Sequence, residues 1–80
     1  MIRYSAHAAA RLRQRGIEEA WVEEALARPH AVQPDPADPT LMRSFRTVAA
    51  VGNRILRVVH RPDGPDTLVI TAFFDRDATP

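Results

Sequence analysis

The chain has 80 residues, a net charge of +1 and no cysteine. This length predicts a single domain over residues 1–80, and 45% hydrophobic residues with 26% charged residues are typical of a folded protein rather than a disordered one. The lack of cysteine excludes disulfides and thiolate-held zinc. Because so short a domain has a small core, we expect a monomer or a small homo-oligomer.

The N-terminal residues contain no apolar run of the kind that forms a signal peptide. No segment is long and apolar enough to cross a bilayer. The sequence therefore predicts a cytoplasmic protein without a membrane partner.

Two short helices are predicted in the N-terminal third of the chain. Ser5 is a good N-cap for a helix over residues 6–15, and Gly16 suits the left-handed position that ends such a helix. A second helix follows at once, because apolar residues recur at helical spacing from Ile17 to Leu26. Pro29 ends it.

The rest of the chain is predicted to form a sheet. Three long strands are expected, over residues 41–51, 54–61 and 67–74, with turns at 52–53 and 62–66. Residues 2–4 and 31–33 can each add a short strand, and the polar tail from Asp75 is expected to fray. The resulting fold class is α+β, with two N-terminal helices packed on one face of a three- to four-stranded antiparallel sheet.

The second long strand carries apolar side chains on both of its faces. Alternation puts Leu56, Val58 and His60 on one side, and Ile55, Arg57, Val59 and Arg61 on the other. The pattern therefore leaves open which face of the sheet meets the helices.

All 11 basic residues are arginine, a composition that a GC-rich genome explains. Their placement is more informative, because several lie on the first two long strands while four glutamates lie on the second helix. This separation favours RNA or another polyanion as partner, although solubilising edge residues would give the same pattern. The candidate RNA-binding residues are Arg15, Arg43, Arg46 and Arg54.

His7 and Arg11 lie four residues apart, on one face of the first predicted helix. A histidine there can hold or release a proton near neutral pH while an arginine contacts a phosphate. The alternative is that His7 bonds the backbone and Arg11 is solvated. The three histidines are too far apart in sequence to suggest a metal site, and no nucleotide-binding motif is present, so no cofactor is expected.

The spaced residues of the opening segment resemble a known family. They follow the pattern H-x-x-x-R-x-x-x-R-G-I from His7 to Ile17, and then V-x-x-x-L-x-x-P from Val22 to Pro29. This pattern resembles a family of small bacterial domains of unknown function that is allied to the RelE/ParE-like toxins and to the barnase-like ribonuclease fold. The resemblance extends over nearly the whole chain.

The resemblance implies a toxin-like, metal-independent endoribonuclease that a cognate antitoxin protein neutralises. By matching positions it implies His7, Arg11, Arg57 and Thr71 as site residues, with His60 as a further acid or base. Arginines would stabilise the charge that gathers on the phosphate during RNA cleavage. Two alternatives stay open, namely a non-catalytic module of the same fold that binds nucleic acid or protein, and an inert domain. No carboxylate stands out as a dedicated base.

Overall fold

The computed structural model describes residues 1–76 of the chain. Its elements in chain order are β1 (Ile2–Tyr4), α1 (Ala6–Arg15), α2 (Glu19–Ala27), β2 (Ala31–Pro34), β3 (Met42–Val48), a 3₁₀ turn (Ala49–Val51), β4 (Arg54–Asp63) and β5 (Asp66–Phe74). Both predicted helices are confirmed, and both optional short strands are present as β1 and β2.

The first helix begins and ends as its terminal residues predict. The Ser5 hydroxyl accepts a hydrogen bond from the Ala8 amide at 3.0 Å, which satisfies one of the unpaired donors of the first turn. Gly16 ends the helix in the left-handed conformation at φ 64°. The reversal lets the Ile17 amide donate to the Leu12 carbonyl at 2.9 Å, so both side chains reach the core.

The second helix begins two residues later than its apolar pattern. It begins after Glu18, so Ile17 lies outside it but is still buried in the core beside Val22 and Ala25. Of the described helices, neither is long and apolar enough to cross a bilayer.

The sheet differs from the predicted one in strand number and direction. Within residues 1–76 it has five strands in the order β1-β5-β4-β3-β2, and β1 runs parallel to β5 while the other neighbours are antiparallel. The expectation of a three- to four-stranded, purely antiparallel sheet was therefore wrong. The physical reason is that β5 lies in the sheet interior, and its backbone groups need partners on both edges. Residues 2–4 supply those partners along residues 67–69.

Two strand ends also differ from the prediction. Strand β3 stops at Val48, because the Asn53 amide donates to the Val48 carbonyl at 3.0 Å and closes the loop, so residues 49–51 form the 3₁₀ turn. Strand β4 continues to Asp63 instead of ending at residue 61. Gly64 at φ 59° followed by a proline forms a two-residue hairpin turn, which lets Asp63 pair with Asp66.

The core lies on one face of the sheet, where both helices pack. Leu56 and Val58 of β4 and Val69 of β5 are fully buried there, in one cluster with residues of α1 and α2. We call this the helix-covered face. No described helix covers the opposite side, which we call the open face. Arg57, which lies between Leu56 and Val58 in the sequence, points to this face because side chains alternate along a strand. The structure thus resolves the ambiguity that the strand pattern leaves.

Candidate nucleic-acid interface

Arg57 lies at the centre of the open face, between two aromatic rings. Its cross-strand partners are Phe45 on β3 and Phe73 on β5. The guanidinium carbon lies 5.5 Å from the Phe45 ring centroid and 4.8 Å from the Phe73 ring centroid. Both distances are within the range of a cation–π contact. Three neighbouring strands therefore hold this arginine by packing as well as by charge.

Asp75 provides the counter-charge to Arg57. It follows β5 directly, and alternation puts it on the same face as Thr71 and Phe73. Its carboxylate accepts a hydrogen bond from Arg57 Nη2, and only 19% of the arginine side chain and 7% of the aspartate side chain are exposed. Asp75 does not fray, contrary to the prediction, because its backbone amide donates to the Ile55 carbonyl at 2.8 Å. The predicted fraying of residues 77–80 falls outside the described residues.

One nitrogen of Arg57 is left unsatisfied. The Nε atom is buried, and within the described part of the chain it has no hydrogen-bond partner. A buried guanidinium N–H without an acceptor is unfavourable and uncommon in folded proteins. Asp75 thus accepts a hydrogen bond from Nη2 of the Arg57 guanidinium and leaves the Nε donor without an acceptor.

Arg15 reaches the rim of the open face from the end of α1. Strand β1 pairs only with residues 67–69 of β5, so side chains instead of a strand bond carbonyls further along β5. Arg15 Nη1 donates to one of them, that of Ala72, at 2.8 Å. Its guanidinium carbon lies 5.7 Å from the Phe73 ring centroid. Arg15 and Arg57 therefore contact the same aromatic ring.

A second row of residues crosses the open face beside the Phe45–Arg57–Phe73 row. It consists of Arg43 on β3, Val59 on β4 and Thr71 on β5. Arg43 Nε donates to the Asp35 carboxylate at 3.1 Å. The pKa of Asp35 is lowered, first by the hydrogen bond from the Ala37 amide and also by Arg43. The charge of Arg43 is therefore largely compensated within the protein.

Two of the predicted RNA-binding arginines lie on the other side of the sheet. Arg46 Nη1 donates to the Arg28 carbonyl at 2.6 Å, and its Nη2 lies 3.7 Å from Glu24 of α2. The Arg54 guanidinium carbon lies 4.3 Å from the Phe74 ring centroid. The structure thus brings Arg15, Arg43, Arg57 and Thr71 to the open face or its rim, and does not bring Arg46 or Arg54 there.

His60 also lies on the helix-covered side. Its Nε2 atom is 2.7 Å from the Ser44 hydroxyl, and Ser44 is 2% exposed. Burial lowers the pKa of His60, because the half-buried ring is poorly solvated when charged. In this position the ring forms a hydrogen bond inside the fold.

His7 and Arg11 lie on the outer side of α1, because Ala8 and Leu12 take its buried side. His7 is exposed, and Arg11 Nη1 donates to the Gln14 side chain at 2.8 Å. The helix packs on the covered face of the sheet, so the structure does not bring His7 to Arg57.

Three residues of the open face were missed by sequence reasoning, namely Phe45, Phe73 and Asp75. The usable signal was alternation along β5, which puts Thr71, Phe73 and Asp75 on one side. Among the described residues no group of three metal-ligating side chains lies together.

Comparisons with known proteins identify a family. The sequence profile of a domain of unknown function, DUF4258, matches residues 4–74. The chain therefore belongs to the DUF4258 family. Neither a curated protein nor a solved structure matches the chain.

Proposed function

We propose that this member of the DUF4258 family binds RNA on the open face of its sheet and cleaves it without a metal ion, as a toxin-like endoribonuclease of the cytoplasm. The observation that carries the proposal is the guanidinium of Arg57, held between the rings of Phe45 and Phe73 on a face that no described helix covers. The proposal includes the fold relationship to RelE/ParE-like toxins and barnase-like ribonucleases.

The chemistry of the open face suits single-stranded RNA. Arginine contacts phosphate oxygens through its planar fork, and phenylalanine rings stack on unpaired bases. Phe45 and Phe73 are both partly exposed, so their outer surfaces are accessible to a base. Arg15 on the rim has no ion pair with any described residue, which leaves its charge for a second phosphate.

Cleavage would proceed by attack of the 2′-hydroxyl on the adjacent phosphorus. The 2′-hydroxyl proton passes to a base, the bond to the 5′-oxygen breaks, and that oxygen takes a proton as it leaves. Arg57 would stabilise the charge on the phosphate, and Thr71, in the neighbouring row, would donate a hydrogen bond to it. The resemblance implies His7 and His60 as acid and base. Both lie on the helix side of the sheet, so the open face itself supplies the stabilisation of the phosphate and not the two proton transfers.

A second candidate function is a non-catalytic RNA- or protein-binding module. The observation that favours it is the placement of His7 and His60, which lie on the helix side of the sheet while Arg57 lies on the open side. In either case a cognate antitoxin is the expected protein partner. An acidic segment of that partner would compete with RNA for the open face.

One series of assays distinguishes an endoribonuclease from a non-catalytic binding module. Binding of a fluorescein-labelled single-stranded RNA is measured by anisotropy at several salt concentrations, and cleavage is followed on gels in EDTA. We expect binding that weakens with salt and cleavage to a 2′,3′-cyclic phosphate. Arg57→Gln should lose both, and His7→Ala should lose cleavage while it retains binding.

Arg28→Gln is the matched control, because it removes the same charge from an exposed arginine at the end of α2. Binding without cleavage in EDTA would favour the non-catalytic module. Absence of RNA binding by the wild-type protein, or equal losses in the Arg57 and Arg28 variants, would contradict the proposed interface.

A further inference from the structure

We infer that Arg57, Phe45 and Phe73 form a phosphate subsite in which the Asp75 carboxylate takes the place of a phosphate until RNA displaces it. This inference rests on the proposed RNA binding and adds its regulation, since Asp75 then competes with RNA for the same arginine.

The first support is the chemistry of the pair. Carboxylate and phosphate oxygens are the two anionic acceptors that a guanidinium fork prefers. Asp75 lies on the open face with Arg57 and is almost completely buried against it. An anion-binding position on this face is therefore already occupied by a group of the protein itself.

The second support is the incomplete use of the arginine. Asp75 bonds Arg57 through Nη2, while Nε is buried and has no acceptor among the described residues. A phosphate has several acceptor oxygens and can take both N–H groups of the Nε–Nη2 edge at once. Displacement of Asp75 would therefore satisfy a donor that is unsatisfied in the free protein.

The third support is the rigidity of the guanidinium. The two rings hold its plane from β3 and β5, so it stays in position when the carboxylate leaves. The Asp75 backbone is held as well, by the hydrogen bond from its amide to the Ile55 carbonyl, so only its side chain has to turn away to release Arg57. Release of Asp75 costs free energy when RNA binds. The measured affinity for RNA is therefore lower than the affinity of a subsite from which the carboxylate has already been removed.

The test compares two variants that each remove one carboxylate. Asp75→Asn removes the internal competitor, and Asp63→Asn removes the acid that pairs with exposed Arg3 near the Gly64 turn. We expect Asp75→Asn to bind the labelled RNA about three- to tenfold more tightly than wild type. Asp63→Asn should change binding by less than about twofold, because its effect is only that of net charge.

A second measurement uses inorganic phosphate and the NMR resonance of the Arg57 Nε–H. Phosphate should shift this resonance at lower concentration in Asp75→Asn than in wild type or Asp63→Asn. Circular dichroism verifies that each variant is folded. If Asp75→Asn does not fold, Asp75→Ser, which removes the same carboxylate, is used instead of Asp75→Asn in both assays.

The outcomes separate this inference from the proposed function. Equal tightening in both variants, or weaker RNA binding by Asp75→Asn, would overturn the inference while RNA binding itself stands. If no protein binds RNA but phosphate shifts Arg57 Nε–H at lower concentration in Asp75→Asn, the subsite stands and the proposed function fails. Absence of both effects overturns both.

Discussion

Strand β4 presents two faces that are both buried but for different reasons. On the helix-covered face, Leu56 and Val58 are fully buried beneath α1 and α2. On the open face, Ile55 and Val59 are 9% and 6% exposed although no described helix lies over them. Their neighbours on this face include the long side chains of Arg43, Arg57 and Phe45. Arginine stems cover apolar surface while their charged ends stay near water.

The comparison shows how a small sheet can keep one face available for a partner. A face covered by side chains can be rearranged residue by residue, whereas a face covered by helices cannot open without unfolding. Two polar residues of β4 differ in the same way. Arg57 on the open face is paired with a counter-ion, while burial on the covered side lowers the pKa of His60.

The largest expected effect compares two adjacent residues of similar volume. We expect Leu56→Ala to lower the free energy of unfolding by about 2–5 kcal/mol, because it leaves a cavity between sheet and helices. Ile55→Ala on the open face should have a smaller effect, since the side chains around it can move into the space. Urea denaturation of both variants measures the difference. An equal or larger loss in Ile55→Ala would contradict the distinction between the two faces.

The second prediction concerns the Arg57–Asp75 pair. Arg57→Met should lower the free energy of unfolding by about 1–3 kcal/mol, because it leaves a nearly buried carboxylate without this partner. The double variant Arg57→Met, Asp75→Asn should regain part of this loss, since no charged carboxylate is then left beside an apolar side chain at position 57. Thermal and urea unfolding of the two single variants and the double variant complete the cycle. A double variant less stable than Arg57→Met would show that Asp75 stabilises the protein through contacts other than its ion pair with Arg57.

The smallest expected effect is a pH dependence from the covered face. Because burial lowers the pKa of His60, the unfolded chain binds a proton more readily than the folded one. Stability from this residue is complete above the ordinary histidine pKa of about 6.5 and is lost as pH falls from that value through the lowered pKa. His60→Gln, which can still bond Ser44, should lose less stability between neutral and mildly acidic pH than wild type does.

Urea unfolding at several pH values measures this slope. Exposed His30→Gln is the matched control, and its profile should follow that of wild type. Identical slopes for wild type and His60→Gln would mean that the covered side of the sheet tolerates the charged imidazole.

Local signals in the sequence were enough for the elements but not for the sheet. Ser5 and Gly16 determine the ends of α1 through backbone hydrogen bonds and a left-handed conformation, which neighbouring residues alone can reveal. The pairing of β1 with β5 joins residues 65 positions apart, and no local pattern encodes it. The choice of face on β4 was open because Ile55 and Val59 are as apolar as Leu56 and Val58.

The residues of the candidate site were also only partly predictable from the sequence. Arg57 and Thr71 were named from their matching positions, and the structure places them on neighbouring rows of one face. Asp75 begins a polar segment in the sequence, and alternation along β5 does not encode its pairing with Arg57, which lies 18 residues earlier on a different strand. Whether His7, Arg11 and His60 take part in catalysis stays a prediction.

The position of β5 has a consequence for how the protein is made. It is the last of the five strands to be synthesised, yet in the sheet it lies between β1 and β4. On the ribosome, β1 and α1 therefore emerge early and wait for their main packing partner until residues 66–74 are out. Such late, long-range closure is slow, and it exposes the apolar sides of the early segments meanwhile. A nascent chain halted before β5 should consequently be a target for chaperones and proteases.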